Sequence, residues 1–149
     1  GPVATASRPI TAVAVGPASP ATRPAGDVSV EAAARGIRTL APEDPAYVAR
    51  YDGDPASRDR AYHQGTVWPW LVGAYVEASL RAFGRSPARI AALRALLDGF
   101  ADQLTVAGLD HVSEVFDGDP PHRPGGCFAQ AWNTAELLRA YKLLEEPGP

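Results

Sequence analysis

From Trp68 to Gly108 the apolar residues recur at three- and four-residue spacing, and Gly84-Arg85 is the break in the run. That spacing belongs to amphipathic helices, and so short a break predicts that two such helices lie antiparallel. The first is expected over Trp68–Phe83, with Leu71, Val72, Ala74, Tyr75, Ala78 and Ala82 on its apolar face. Thr66 is its expected N-cap, and Pro69 suits a first turn, where a missing N–H has no partner to lose. The second begins at Ser86-Pro87, a capping residue followed by proline at the first helical position. Ile90, Leu93, Leu96, Leu97, Phe100 and Leu104 share one face of it, and Gly108 ends it. A third helix is expected over Ala129–Leu144, facing inward with Trp132, Ala135, Leu138 and Tyr141, extended by Leu137 and Leu144. Three helices this apolar do not close a symmetrical bundle. They ask for more partners than the chain supplies, which predicts a piece of a larger all-α domain.

The remaining segments read as loops. Gly1–Gly26 is rich in Pro, Ala, Ser and Thr, with strand alternation only at Ile10–Val15. Val28–Arg35 is an expected short helix stopped by Gly36, and Ile37–Leu40 a short extended piece. Ala41–Arg60, with three prolines and several Asp and Gly residues, is an expected long loop; loops of that length are usually functional or mobile. Leu109–Pro124 lacks helical periodicity, and Val112–Phe116 alternates as an extended strip.

Composition excludes several classes of function. A net charge of −3 offers no broad attraction to nucleic acid or to an anionic membrane. No apolar run approaches the roughly 20 residues of a membrane span, and no charged start leads into the apolar core of a signal peptide. The single cysteine, Cys127, forms no internal disulfide; it is compatible with a reducing compartment and reads as a small core residue rather than a nucleophile. The chain begins Gly1-Pro2 rather than with methionine, as a processed chain or a fragment does. His63, His111 and His122 fit no zinc spacing, so no metal is expected. There is no glycine-rich nucleotide motif and no G-x-S-x-G elbow, so neither a cofactor nor a serine triad is expected.

Two segments hold the candidate chemistry. Tyr62, His63, Gln64, Thr66, Trp68 and Trp70 crowd into nine positions just before the first helix. Flat rings and polar tips held at a helix mouth suit a sugar-binding cleft; a Trp-rich helix start that simply packs a core has the same pattern. In His111–His122, period 2 puts Val112, Glu114 and Phe116 on one face. A carboxylate among apolar neighbours suits acid/base work. Inverting glycoside hydrolysis needs two carboxyl groups, one to protonate the leaving oxygen and one to activate water. Glu114 is a candidate for one of them, and equally a structural glutamate. Asp117 and Asp119 sit in Asp-Gly-Asp-Pro, which is ordinary turn chemistry.

Ala61–Leu71 as AYHQGTVWPWL, Ser113–His122 as SEVFDGDPPH, Gly126–Trp132 as GCFAQAW and Gly36–Leu40 as GIRTL resemble the C-terminal region of glycogen debranching enzymes. That region is the amylo-alpha-1,6-glucosidase domain, an (α/α)6 toroid. The resemblance runs from about Gly36 to Tyr141 and departs at Ala74, where the family carries proline, and at Gly125, where it carries an arginine or similar residue. It implies an all-α fold: a partial (α/α)6 toroid, the C-terminal helices with long loops and a short extended strip. Residues 36–149 would be that part, and residues 1–35 a poorly structured N-terminal segment with one short strand or helix. It further implies Glu114 as the catalytic base, with His63, Gln64, Trp68 and Trp70 lining the cleft and Asp117, His122, Gln130 and Trp132 near the same end. The family's general acid is an aspartate in an upstream motif that nothing here matches. The implied partners are an alpha-glucan or maltooligosaccharide and the upstream remainder of the toroid, and the implied location is the cytoplasm. A non-catalytic carbohydrate-binding module and another (α/α)6 glycosidase, of glucoamylase or trehalase type, are the alternatives.

Overall fold

A computed structural model describes residues 32, 33 and 35–146. Its helices are α1 (Pro55–Ala61), α2 (Leu71–Phe83), α3 (Pro87–Asp98), α4 (Ala101–Val106) and α5 (Ala131–Glu145). The expected all-α fold is corrected by a small antiparallel sheet. Its strands are β1 (Ala32–Ala33), β2 (Gly36–Arg38), β3 (Val67–Trp68), β4 (Val115–Phe116) and β5 (Pro124–Gly125), neighbours in chain order. Ile37 pairs with Trp68, Val67 with Phe116, and Phe116 with Pro124. Strands this short carry no long alternation, so helical spacing dominates the sequence, yet they clip four distant loops together. The expected strand at Ile10–Val15 lies outside the described residues, as does most of the expected helix at Val28–Arg35; its Ala32–Ala33 is strand β1.

The sheet also explains why α2 starts late. Trp68 precedes Pro69, which disfavours helical backbone at Trp68 and favours extended. Trp68 accordingly pairs in β3, Trp70 occupies the N-cap, and Leu71 is the first helical residue. Thr66 does not cap α2. Its hydroxyl donates to the Ala61 carbonyl at 2.8 Å from a fully buried position. The capping expected at Ser86-Pro87 is present, the Ser86 side chain accepting from Arg89 N at 3.3 Å. The same Asx-Pro logic builds α1 inside the expected long loop, with Asp54 accepting from Ser57 N at 2.8 Å and Pro55 at the first turn. The helix expected to run to Gly108 is two, interrupted at Gly99-Phe100, where glycine has low helical propensity.

Helix α5 packs on both α2 and α3, and these contacts outweigh those between the two helices joined by Gly84-Arg85. The main partner of α2 is therefore α5 rather than α3. Arg85 fastens the arrangement by donating to the carbonyls of Leu143 at 2.8 Å and Leu144 at 3.0 Å, at the end of α5. The core gathers Val72 and Val76 of α2, Leu93, Leu96 and Leu97 of α3, Phe100, and Leu137, Ala140 and Leu144 of α5, with Val67, Val112 and Phe116 beneath.

Two helix faces differ from expectation. On α2 the buried residues are Val72, Gly73, Val76 and Ser79, while Ala74, Ala78 and Ala82 are exposed. On α5 the buried stripe is Asn133, Leu137, Ala140 and Leu144, and Trp132 and Leu138 are 55% and 65% exposed. Gly73 and Asn133 decide both cases: glycine lets α5 approach α2, and a buried asparagine sits where periodicity counts a polar residue as outward. Among the described residues no helix is long and apolar enough to cross a membrane.

Candidate active site

Tyr62 follows α1 directly, its N–H closing the last turn on Arg58 O at 3.0 Å. Its carbonyl accepts from the Trp68 indole Nε1–H at 3.0 Å, which fixes the tryptophan against the helix end. The Tyr62 ring then meets Trp68 edge-on, with centroids 4.5 Å apart and planes at 75°. His63 stands 5.1 Å from Tyr62 and lies parallel to Trp68 at 6.1 Å. Edge-to-face and offset arrangements are those the ring quadrupoles favour.

Glu114 is half-buried between Ser113 and Val115, which are both buried. Its Oε1 accepts the Tyr62 hydroxyl, and its Oε2 accepts from Cys127 N at 2.8 Å. Its own N–H donates to Cys127 O at 2.8 Å. Gly126 makes this approach feasible. Its φ is +67°, and a Cβ there would stand 2.9 Å from the Glu114 Cβ. From α5, the Asn133 amide donates to the carbonyls of Ser113 at 2.6 Å and Glu114 at 2.9 Å. Burial, then the hydrogen bond and charge of Glu114, push the Tyr62 phenol up, so it stays a donor. Both walls of the loop and the side chain's two oxygens are thus engaged, and the carboxyl group has one orientation.

Beside this cluster opens a cleft of about 580 Å³. It is lined by Thr39, His63, Trp68, Trp70, Leu71, Ala74, Trp132, Glu136 and Arg139. Four residues singled out in the sequence, His63, Trp68, Trp70 and Trp132, therefore share one cavity although Trp132 is far along the chain. Glu114 does not line it; Tyr62 connects the two. A family profile described as amylo-alpha-1,6-glucosidase matches residues 30–139, a span holding every residue of this arrangement.

The chain belongs to the amylo-alpha-1,6-glucosidase family. It corresponds to the C-terminal part of glycogen debranching enzymes, a glycoside hydrolase family whose substrate is an alpha-glucan. No curated protein and no solved structure matches the chain.

The other residues drawn from resemblance to the amylo-alpha-1,6-glucosidases lie around this centre rather than in the cleft. Asp117 is 2% exposed. Its Oδ2 accepts from Arg50 Nη1 at 3.0 Å and Arg123 Nε at 2.8 Å, and its Oδ1 from Tyr51 N at 2.9 Å. Burial raises its pKa, but the bonds from Arg123, Tyr51 N and Arg50 together hold the carboxyl below the usual range. Through Tyr51, whose ring lies 5.7 Å from Tyr62, Asp117 braces the back of the aromatic cluster. His122 donates from Nδ1 to the Asp117 carbonyl at 2.9 Å, and burial pushes its pKa down. Gln130 occupies the N-cap position of α5 without a side-chain capping bond, and its N–H donates to Val112 O at 2.9 Å. Gln64 donates its N–H to Ala61 O at 3.0 Å and stands half-buried outside the cleft lining.

Sequence reasoning assigned no role to Asn133, Glu136 or Arg139 in this amylo-alpha-1,6-glucosidase chain, and no partner to Tyr62. Tyr62 was visible in the aromatic cluster, but its partner is 52 residues away. Asn133 reads as an outward polar position beside an apolar face, and Glu136 and Arg139 read as ordinary solvated charges on a helix.

Proposed function

We propose that this chain carries the water-activating half of an inverting alpha-1,6-glucosidase site, with Glu114 as general base and the general acid supplied by residues outside this sequence. The observation that carries the reading is the link from carboxyl to cleft. Tyr62 donates to Glu114 while its ring sits edge-on to Trp68, which lines the cavity with Trp70 and Trp132. Each carboxylate oxygen accepts one bond and retains lone-pair capacity for a water. The tryptophan faces supply the stacking surface for glucosyl rings. An inverting enzyme keeps its two carboxyl groups roughly 6.5–9.5 Å apart to leave room for that water.

The setting we infer is the last part of an (α/α)6 toroid. Twelve helices of about 11–12 residues, joined by connections of about 4–6, need roughly 200 residues. Exposed Leu138, outside the cleft lining, supports a further element against α5. The substrate is then the glucose stub at a glycogen branch, released as free glucose in the cytoplasm. Alone, the purified chain is expected to release no glucose from a branched limit dextrin; measurable glucose would contradict the missing acid. In the assembled enzyme, Glu114→Gln is expected to lower turnover about 10²–10⁴-fold while maltooligosaccharide affinity holds. Near-normal turnover removes Glu114 from the role of base.

One observation favours a second reading, a non-catalytic carbohydrate-binding module: Glu114 lies outside the cleft lining and both its oxygens accept bonds from the protein. Saturable binding, with full turnover of the assembled Glu114→Gln enzyme, would select it.

A further inference from the structure

The cleft has one charged wall, which neither the motifs nor the base assignment uses. Trp132, Glu136 and Arg139 succeed one another along the exposed side of α5 and all line the cavity. Residues three or four apart on a helix are neighbours, so an indole, a carboxylate and a guanidinium form one continuous strip. Glu136 and Arg139 are joined by a two-point contact: Nε to Oε1 at 2.9 Å and Nη2 to Oε2 at 2.7 Å. Arg139 Nη1 also reaches Glu77 Oε2 on α2 at 2.7 Å.

The space for this pair is cut into α2. A Cβ on Gly73 would overlap Glu136 Oε2 and stand 3.1 Å from Arg139 Nη2. Tying α5 to α2 requires only the Arg139–Glu77 contact. Glu136 lies on the same helix as Arg139 and adds no cross-helix tie of its own. Its effect is to present a fixed carboxylate to the cleft one turn from Trp132. A partly exposed pair of this kind contributes little to stability. An acceptor-only group beside an aromatic face suits one ligand chemistry: a ring with an apolar face and hydroxyl donors along its edge.

We propose that Glu136, aligned by Arg139, is the specificity-determining acceptor for the hydroxyl groups of an uncharged glucosyl ring stacked on the cleft tryptophans. It rests on the cleft being the glucan site. The carboxylate takes hydroxyl donors on its remaining lone pairs and repels anionic sugars, while the guanidinium keeps it from rotating away.

The test is a titration of the purified chain with maltotetraose, followed by tryptophan fluorescence, in wild type, Glu136→Gln and Glu77→Gln. Glu77 touches Arg139 but does not line the cleft. Losing one charged acceptor is expected to weaken binding about tenfold in Glu136→Gln. Glu77→Gln is expected to bind within about twofold of wild type, since it weakens only partly exposed ion pairs with Arg139 and Arg81 outside the cleft. Thermal midpoints check that each variant is folded. If Glu136→Gln does not fold, Glu136→Asp, which withdraws the carboxylate from the cleft, carries the same expectation. Equal affinity in wild type and the Glu136 variant, or equal losses in both variants, overturns the proposal. Wild type that fails to bind maltotetraose overturns the cleft reading instead, which separates the two failures.

Discussion

The carboxylate side of the site and its tryptophan side are held by opposite means. Around Glu114 the groups are hydrogen-bonded, and Ser113, Asn133 and Asp117 among them are buried: Ser113 and Glu114 carbonyls by Asn133, the side chain by Tyr62 and Cys127, Tyr51 by Asp117. Trp132 instead presents an indole that is more than half exposed at the cleft. The difference matches the two kinds of work proposed for these regions. A reacting carboxyl must stay within a fraction of an ångström of one position, whereas a stacking surface needs a broad accessible face. The first region should therefore be costly to disturb in stability, and the second costly only in binding.

The largest effect is expected for Phe116→Ala, which empties a fully buried ring beneath the sheet. Chemical denaturation should show a loss of about 3–5 kcal/mol; a loss under about 1 kcal/mol would mean the sheet end is not the rigid region. Asn133→Ala leaves two carbonyls beside Glu114 without their donor, and about 2 kcal/mol should go.

Asp117→Asn comes next and has a pH signature. The folded carboxyl is held below its ordinary range, so its contribution is fully present above the unfolded value near about 4. That contribution drains away as pH falls through the lower folded value. At neutral pH the variant should lose about 1–2 kcal/mol, because both arginine partners are largely solvated. Urea curves at neutral pH and near about pH 3 should show the gap closing. A gap that widens in acid would reverse the assignment.

Trp132→Ala is the smallest in stability, within about 0.5 kcal/mol. It nonetheless removes a stacking face, so maltotetraose binding measured on the same sample should weaken clearly. A large stability loss without a binding loss would make Trp132 a packing residue and erase the contrast.

Local chemistry made part of this readable. Ser86-Pro87 and Gly84 mark α2's end and α3's start because capping and turn preferences act within a few residues. Asp54-Pro55 carries the same signal for α1, and its surroundings of Asp and Gly concealed it. The aromatic cluster at Tyr62–Trp70 and the carboxylate at Glu114 stand out by residue type alone. Helix faces do not. Periodicity reports that a stripe is apolar, not whether it meets the core or a ligand, so exposed Trp132 and Leu138 looked the same as buried Leu137 and Leu144.

By itself, then, the sequence determined the helices from α2 onward to within a few residues, with α3–α4 read as one, and the family. All of these rest on short-range preferences or on strings of neighbours. The tertiary structure alone decided that Val67 pairs with Phe116, that α5 lies against both α2 and α3, and that Tyr62 reaches Glu114. Those depend on pairings between residues tens of positions apart, selected by packing and by satisfying buried polar groups, and no local pattern along the chain encodes them.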